Sequence, residues 1–181
     1  MEQQATSPLK AAINYGLLTA LGMVVYGIIL YLVGMDKNPV LPYVSYIILL
    51  AGIYLGSVNY RDKHLGGFIT YGKAVTVGFF IALVVAVIMA VWTYIFIKFI
   101  DSGAMAEAMI LAEERMAEQG MSEAEIEQGL IMAEKFQSPG VVAALVLFGN
   151  ALAGFILALI TSAFVKKEGE FMPPAAEEEN A

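Results

Sequence analysis

Cysteine is absent from the 181-residue sequence, and histidine occurs once. The lack of cysteine excludes a disulfide framework, a thiolate metal site, a catalytic thiol and a lipid-modified cysteine. Charged residues make up only 15% of the chain, whereas soluble domains carry about 25%. The formal net charge of −7 argues against nucleic acid as a partner. No motif in the sequence calls for a cofactor.

Apolar residues dominate what is present. They account for 59% of the chain, against about 45–50% in soluble domains. Four stretches carry no charged side chain: Ala11 to Met35, Asn38 to Tyr60, Ala74 to Ile97, and Phe136 to Val165. Each is at least as long as the ~20 residues that a helix needs to cross a bilayer. The sequence therefore predicts an all-α polytopic membrane protein, with one domain over residues 1–168 and spans at about 11–35, 39–60, 73–98 and 139–165.

The placement of lysine and arginine predicts the orientation of these spans. Basic residues precede the first span, lie between the second and third, and follow the fourth: Lys10, Arg61, Lys63, Lys73, Lys166 and Lys167. Four spans put all of them on one side, and basic flanking residues favour the cytoplasm. Both termini are therefore predicted to be cytoplasmic.

The segment between spans three and four, about residues 101–138, is acidic but helix-forming. It holds nine acidic residues against Arg115 and Lys135. Gly120 can end a first helix, and Ser122 stands three residues before Glu125, the spacing of a capping box that opens a second helix. Apolar residues recur on one face of each: Met105, Met109, Ala112 and Met116 in the first, and Ile126, Leu130 and Ala133 in the second. We expect an extracytoplasmic amphipathic helical hairpin whose apolar stripes pack on each other. An extension of spans three and four beyond the bilayer is the alternative.

The last residues, 169–181, combine Pro-Pro with an acidic run. This composition is typical of a disordered tail.

Small residues recur every four positions in the spans, which lets helix backbones approach closely in lipid. The residues predicted to pack helices in this way are Gly52, Gly56, Gly78, Ala82, Ala86, Gly154 and Ala158. Since every span carries such a stripe, packing within one chain is favoured over a dimer interface.

The segment Asn59 to Lys73 is the best candidate for a cytoplasmic functional loop. Its candidate residues are Arg61, Asp62, Lys63, His64, Gly66, Gly67 and Lys73. One interpretation is a binding loop in which the basic side chains hold an anionic lipid headgroup. The other, which is favoured, is a topology determinant with a tight turn. His64 near Asp62 does not by itself indicate a catalytic pair.

The polar side chains within the charge-free stretches are all uncharged. Asn150 and Thr93 are the candidates, and the Asn150 amide is expected to bond to a neighbouring helix. No Asp, Glu, Lys, Arg or His lies within the four charge-free stretches, whereas ion-coupled transporters normally need such a residue inside a span. The sequence has no metalloprotease, serine-hydrolase or phosphate-loop motif, so we expect no enzymatic activity.

The loop and the layout resemble a bacterial membrane family, domain of unknown function (DUF) 4199. The resemblance rests on the run Arg61 to Ala74, which includes Gly66-Gly67, Phe68-Ile69 and Tyr71-Gly72, on the Gly-Met-Ser-Glu turn at Gly120 to Glu123, and on the final Lys-Lys. It covers about residues 9–168. It implies a bacterial inner-membrane protein and no assigned activity, so no catalytic residues carry over.

Taken together, these patterns predict an uncharacterised membrane protein that scaffolds or modulates other membrane components through its helical bundle and acidic hairpin. A small transporter or channel, alone or as an oligomer, is the alternative. The predicted partners are the lipid bilayer and other membrane proteins or a second copy of the chain.

Overall fold

The computed structural model describes residues 8–168, and this part of the chain is helical. Its α-helices are α1 (Pro8–Leu32), α2 (Val44–His64), α3 (Tyr71–Ile95), α4 (Ala104–Glu118), α5 (Glu123–Lys135) and α6 (Pro139–Val165). A 3-10 turn at Leu41–Tyr43 precedes α2, and a π-helical turn at Phe96–Ile100 extends α3. The tail predicted at 169–181 lies outside the described residues.

Four of the helical segments are long and apolar enough to cross a membrane: Leu9–Leu32, Leu41–His64, Tyr71–Ile100 and Pro139–Val165. The prediction of four such segments is confirmed. Many of their large apolar side chains point outward, among them Leu18 at 66% and Phe148 at 72% exposure. Lipid solvates such side chains, and water does not, so the fold is that of a multi-pass membrane protein.

Helix α1 ends at Leu32, three residues before the predicted limit of the first span. Gly34 adopts a φ of 68°, a left-handed backbone conformation that residues other than glycine rarely adopt. Its amide donates to Tyr31 O at 3.1 Å, and the Met35 amide donates to Leu30 O at 2.8 Å. This pair of bonds is the Schellman motif, which closes a helix by satisfying its last carbonyls.

Helix α3 is the centre of the fold. It packs on α1, α2 and α6, most extensively on α6, and α2 also contacts α1 and α6. The interior is built from small and medium apolar side chains that are fully buried, such as Leu49, Ile53, Val77, Ile81 and Val85. Because small residues line α3, three helices can approach it closely.

The two ends of the molecule differ in charge. Gly16 lies against Ile81 and Val84, and the Tyr31 and Phe96 rings are 5.0 Å apart, so α1 runs parallel to α3. The start of α1 and the α2–α3 connection therefore share one end, and a backbone bridge between Ile69 and Lys167 brings the end of α6 to it. The basic residues at this end are Lys10, Arg61, Lys63, Lys73, Lys166 and Lys167. The α1–α2 connection, α4 and α5 lie at the other end.

Helices α4 and α5 contact each other and form a helical hairpin. Helix α4 ends at Glu118, just before Gly120, and α5 begins at Glu123, directly after Ser122. The Ser122 amide donates to Glu125 Oε2 at 2.8 Å, which confirms the predicted capping box. The Ser122 hydroxyl also donates to Glu125 Oε2, at 2.7 Å, and together these bonds lower the pKa of the Glu125 carboxyl.

Candidate functional site

The connection between α2 and α3 is shorter than the sequence predicted. Helix α2 continues to His64 and α3 begins at Tyr71, so only Leu65–Thr70 connects them. The prediction of a loop from Asn59 to Lys73 was wrong. Arg61, Lys63 and His64 lie in the last turn of α2, where helix carbonyl dipoles favour positive charge, whereas Lys73 lies in the first turn of α3.

Two glycines reverse the chain after α2. Gly66 and Gly67 adopt φ values of 65° and 91°, which only glycine reaches without strain. The Gly67 amide donates to Arg61 O at 3.0 Å, so the turn folds back on the end of the helix.

Arg61 joins this turn to the end of α6. Its Nε and Nη2 donate to the two carboxylate oxygens of Asp62 at 2.7 and 3.2 Å, and its Nη1 donates to Val165 O at 3.0 Å. Val165 is the last residue of α6, where carbonyls lack a helical partner. The Arg61 cation is therefore already engaged, by a carboxylate and by a helix end.

A second contact joins the same two elements through the backbone. The Ile69 amide donates to Lys167 O at 2.9 Å, and the Lys167 amide donates to Ile69 O at 3.1 Å. This isolated antiparallel bridge places Lys167 against the α2–α3 connection. From the sequence, Lys167 indicated only the orientation of the fourth span. Its contact with Ile69 joins residues 98 positions apart, and such a contact leaves no local sequence pattern.

The remaining candidates of this segment are spread over its surface. Lys63 and Lys73 are exposed. The His64 ring lies 5.4 Å from the buried Tyr60 ring, so His64 contacts an aromatic neighbour one turn away. The structure thus pairs Arg61 with Asp62 and leaves the two lysines facing outward.

The predicted packing residues of α3 and α6 lie at the closest helix contact. A methyl group added at Gly154 would overlap Ala82 Cβ, and one added at Gly78 would come within 3.0 Å of Ala158 Cβ. The pairs Gly78–Ala158 and Ala82–Gly154 show that α6 runs antiparallel to α3. Ala86, one turn further along α3, is also fully buried.

The glycines of α2 lie at contacts as well. Gly52 lies against the Thr19 side chain of α1, and Gly56 lies against Ile81 of α3 and Tyr15 of α1. The small-residue stripes of α2, α3 and α6 therefore all form helix contacts within the chain.

The intramembrane polar candidates do not form a common site. Asn150 Nδ2 donates to Val146 O of its own helix at 2.9 Å, so the expectation of a bond to a neighbouring helix was wrong. An amide can reach the carbonyl one turn before it without any partner helix. Since Gly154 faces Ala82, Asn150 comes level with the region of Ala86, about two turns from Thr93.

Two serines are buried among the spans. Ser57 and Ser162 are each 1% exposed, and their hydroxyls have no hydrogen-bond partner among residues 8–168. Ser162 continues the four-residue spacing of Gly154 and Ala158, which predicts a packed position, whereas Ser57 lies outside the spacing of Gly52 and Gly56.

The apolar stripes of α4 and α5 pack on each other, as expected. All stripe residues are partly buried, and Gly129 of α5 lies against the Met116 side chain of α4. Several larger apolar side chains stay outside this contact, including Ile110, Ile131, Met132 and Phe136, each more than half exposed. The hairpin therefore presents apolar surface beyond what its own packing covers.

A groove of about 430 Å³ runs between the two helices. We call it the hairpin groove, and its residues are Met109, Ile126, Leu130 and Ile131 together with Glu113, Glu123, Glu127 and Glu134. It thus combines an apolar surface with four carboxylates. Within residues 8–168, no group of three or more His, Asp or Glu side chains is arranged to hold a metal ion.

Polar contacts connect the hairpin to its surroundings. Lys37, in the α1–α2 connection, forms an ion pair with Glu107, and this hydrogen bond raises the pKa of the Lys37 ammonium. Gln137 Nε2 donates to Met105 O at 3.3 Å across the base of the hairpin. The ion pair is exposed on both sides and adds little to stability.

Comparison with known proteins places these features in a family. The profile of a family described as "Protein of unknown function (DUF4199)" matches residues 14–167, which include every helix except the first residues of α1. No curated protein and no solved structure matches the chain significantly.

Proposed function

The chain belongs to the DUF4199 family, and we propose that it is a non-enzymatic protein of the bacterial inner membrane that scaffolds or modulates other membrane components. Helices α1, α2, α3 and α6 span the bilayer in this proposal, and the α4–α5 hairpin is the docking element. Both termini face the cytoplasm, and the hairpin faces the opposite side.

The charge difference between the two ends supports this orientation. The end with the α2–α3 connection carries six of the ten lysines and arginines, and the hairpin end carries most of the acidic residues. Basic residues next to spans are retained in the cytoplasm, and acidic residues have little influence.

The hairpin groove is the observation that carries the docking role. Its floor is apolar, and Glu113, Glu123, Glu127 and Glu134 line it. From Glu123 to Glu134 it follows about three turns of α5. A groove with these properties is complementary to an amphipathic helix with basic residues on its polar face. We therefore propose a cationic amphipathic segment of a membrane protein as the occupant.

Site-specific crosslinking in cells tests the proposal. A photoreactive residue in place of Ile131, which lines the groove and is 51% exposed, should give a discrete crosslinked product. The crosslinked segment of the partner should be basic and amphipathic. Glu127→Gln/Glu134→Gln should strongly reduce the product, because it removes two carboxylates from the groove.

Glu114→Gln/Glu118→Gln is the matched control. It changes the net charge of α4 and α5 by the same amount outside the hairpin groove, and it should leave the product unchanged. Equal loss with both double variants, or an acidic or uniformly apolar partner segment, would contradict the docking proposal. Solute flux through the purified protein that is abolished by Asn150→Leu, yet survives replacement of residues 107–135 by a Gly/Ser linker, would favour a transporter instead.

A further inference from the structure

A cavity lies at the basic end of the molecule, between the α2–α3 connection, the start of α3 and the end of α6. It has a volume of about 440 Å³. Its lining residues are the apolar Leu65, Phe68 and Ile69, the hydroxyl-bearing Thr70, the cations Lys73 and Lys167, and the acidic Glu168. We call this set the headgroup pocket.

The backbone holds Lys167 at this cavity. The two bonds between Ile69 and Lys167, at 2.9 and 3.1 Å, fix the residue after α6 beside the connection. The bond from Arg61 to Val165 O secures the same helix end. Lys167 Nζ lies 5.6 Å from the centre of the Phe68 ring, so its side chain extends along the wall of the cavity.

The pocket carries a net positive charge, although Asp62 lies close enough to Lys167 to interact with it electrostatically. Neither Lys73 nor Lys167 forms an ion pair within the part of the chain that the structure describes. Glu168 also borders the cavity, but its Oε1 is 3.0 Å from Lys166 Nζ. Thr70 precedes α3, and its side chain makes no capping hydrogen bond, so its hydroxyl can donate to a ligand.

The chemistry of these groups fits a phosphate anion. Two ammonium groups and a hydroxyl can all donate hydrogen bonds to phosphate oxygens, and charge-assisted bonds of this kind are strong. Arg61 takes no part, because Asp62 and Val165 O already engage it.

The position of the pocket indicates which kind of molecule carries the phosphate. It lies where the charge-free stretch of α6 ends at Val165 and that of α3 begins at Ala74, which is the level of the membrane–water interface. Phe68 is half exposed beside it, and Phe164, in the last turn of α6, is 75% exposed. Apolar surface directly next to cations suits a ligand with acyl chains better than a free anion. Basic pockets at this level are typical sites for anionic lipid headgroups.

We propose that the headgroup pocket binds the phosphate of an anionic phospholipid through Lys73, Lys167 and Thr70. The site is independent of the hairpin groove and lies at the opposite end of the molecule.

Native mass spectrometry of the full-length protein in mild detergent tests the site. Phosphatidylglycerol should bind more tightly than phosphatidylcholine. Lys73→Gln/Lys167→Gln should weaken phosphatidylglycerol binding by about tenfold or more, since each of the two lysines contributes roughly fivefold to the affinity for an anionic headgroup. Lys73→Arg/Lys167→Arg should retain it. Glu168→Gln should strengthen it, because it removes the carboxylate at the border of the cavity.

Lys63→Gln/Lys98→Gln is the matched control, with the same change in net charge outside the pocket, and it should bind phosphatidylglycerol normally. An equal loss in this control would show diffuse surface charge and overturn the proposal. Glycerol phosphate binding as tightly as phosphatidylglycerol would also overturn it, in favour of a soluble phosphate ligand. So would lipid binding that appears only after removal of residues 169–181, since the acidic tail would then be the occupant.

Discussion

At the scale of single residues, two glycines of α6 have different surroundings, and only one of them lies at a helix contact. Gly154 is buried against Ala82 of α3, whereas Gly149, in the same helix, is exposed and has no atom within 4 Å of the position of an added methyl group. The same substitution at the two positions therefore separates helix packing from helix propensity.

We expect Gly154→Ala to destabilise the protein and Gly149→Ala to leave it unchanged or slightly more stable. The methyl group at position 154 overlaps Ala82 and must push α3 and α6 apart, and overpacking of this kind costs about 1–3 kcal/mol. At position 149 only the better helix propensity of alanine acts. Thermal unfolding in detergent measures both. Equal midpoints for the two variants would mean that the α3–α6 contact is not tight in the folded protein.

The small-residue contacts could be predicted because lipid-embedded helices approach closely only where side chains are small. The partners of polar side chains could not. Arg61 donates to a carbonyl 104 positions away, and Asn150 donates within its own helix. Both hydrogen-bond partners depend on side-chain rotamers and on how the helices are placed, and neither can be read from the local sequence.

At the scale of elements, helix ends with a side-chain or glycine signature were predictable. The Ser122–Glu125 capping box marked the start of α5, and Gly120 marked the end of α4. The end of α2 was misplaced, because charges in the last turn of a helix resemble charges in a loop. The backbone bridge between Ile69 and Lys167, which holds Lys167 at the headgroup pocket, could not be predicted from any sequence pattern.

The capping box predicts a response to acid. Hydrogen bonds from Ser122 lower the pKa of Glu125 below its ordinary value of 4.5. A carboxyl with a depressed pKa in the folded state stabilises above its unfolded pKa, and this contribution is lost as the pH falls through the folded value. We therefore expect the start of α5 to loosen as the pH drops below about 4.5.

NMR titration of the Glu125 side chain in micelles measures the effect. Its pKa should lie below the ordinary glutamate value in the native protein and return towards that value in Ser122→Ala. A Glu125 pKa at the ordinary glutamate value in the native protein would show that the capping box does not form in solution.

At the scale of the whole molecule, the protein has two chemically different ends. One end brings together the basic residues and the headgroup pocket, and the other carries the acidic hairpin and its groove. The four apolar helices between them separate these surfaces by about the thickness of a bilayer. The proposed roles, lipid binding at one end and protein docking at the other, both depend on the ends facing opposite sides of the membrane.

Cysteine accessibility tests this central claim most directly, because the native chain contains no cysteine and gives no background. Single substitutions Lys63→Cys, Glu118→Cys and Glu168→Cys are treated with a membrane-impermeant thiol reagent in intact spheroplasts. We expect Glu118→Cys to be labelled at once, and Lys63→Cys and Glu168→Cys to be labelled only after the membrane is permeabilised. Labelling of Lys63→Cys with protection of Glu118→Cys would invert the orientation, and labelling of all three in intact spheroplasts would contradict the four-span arrangement itself.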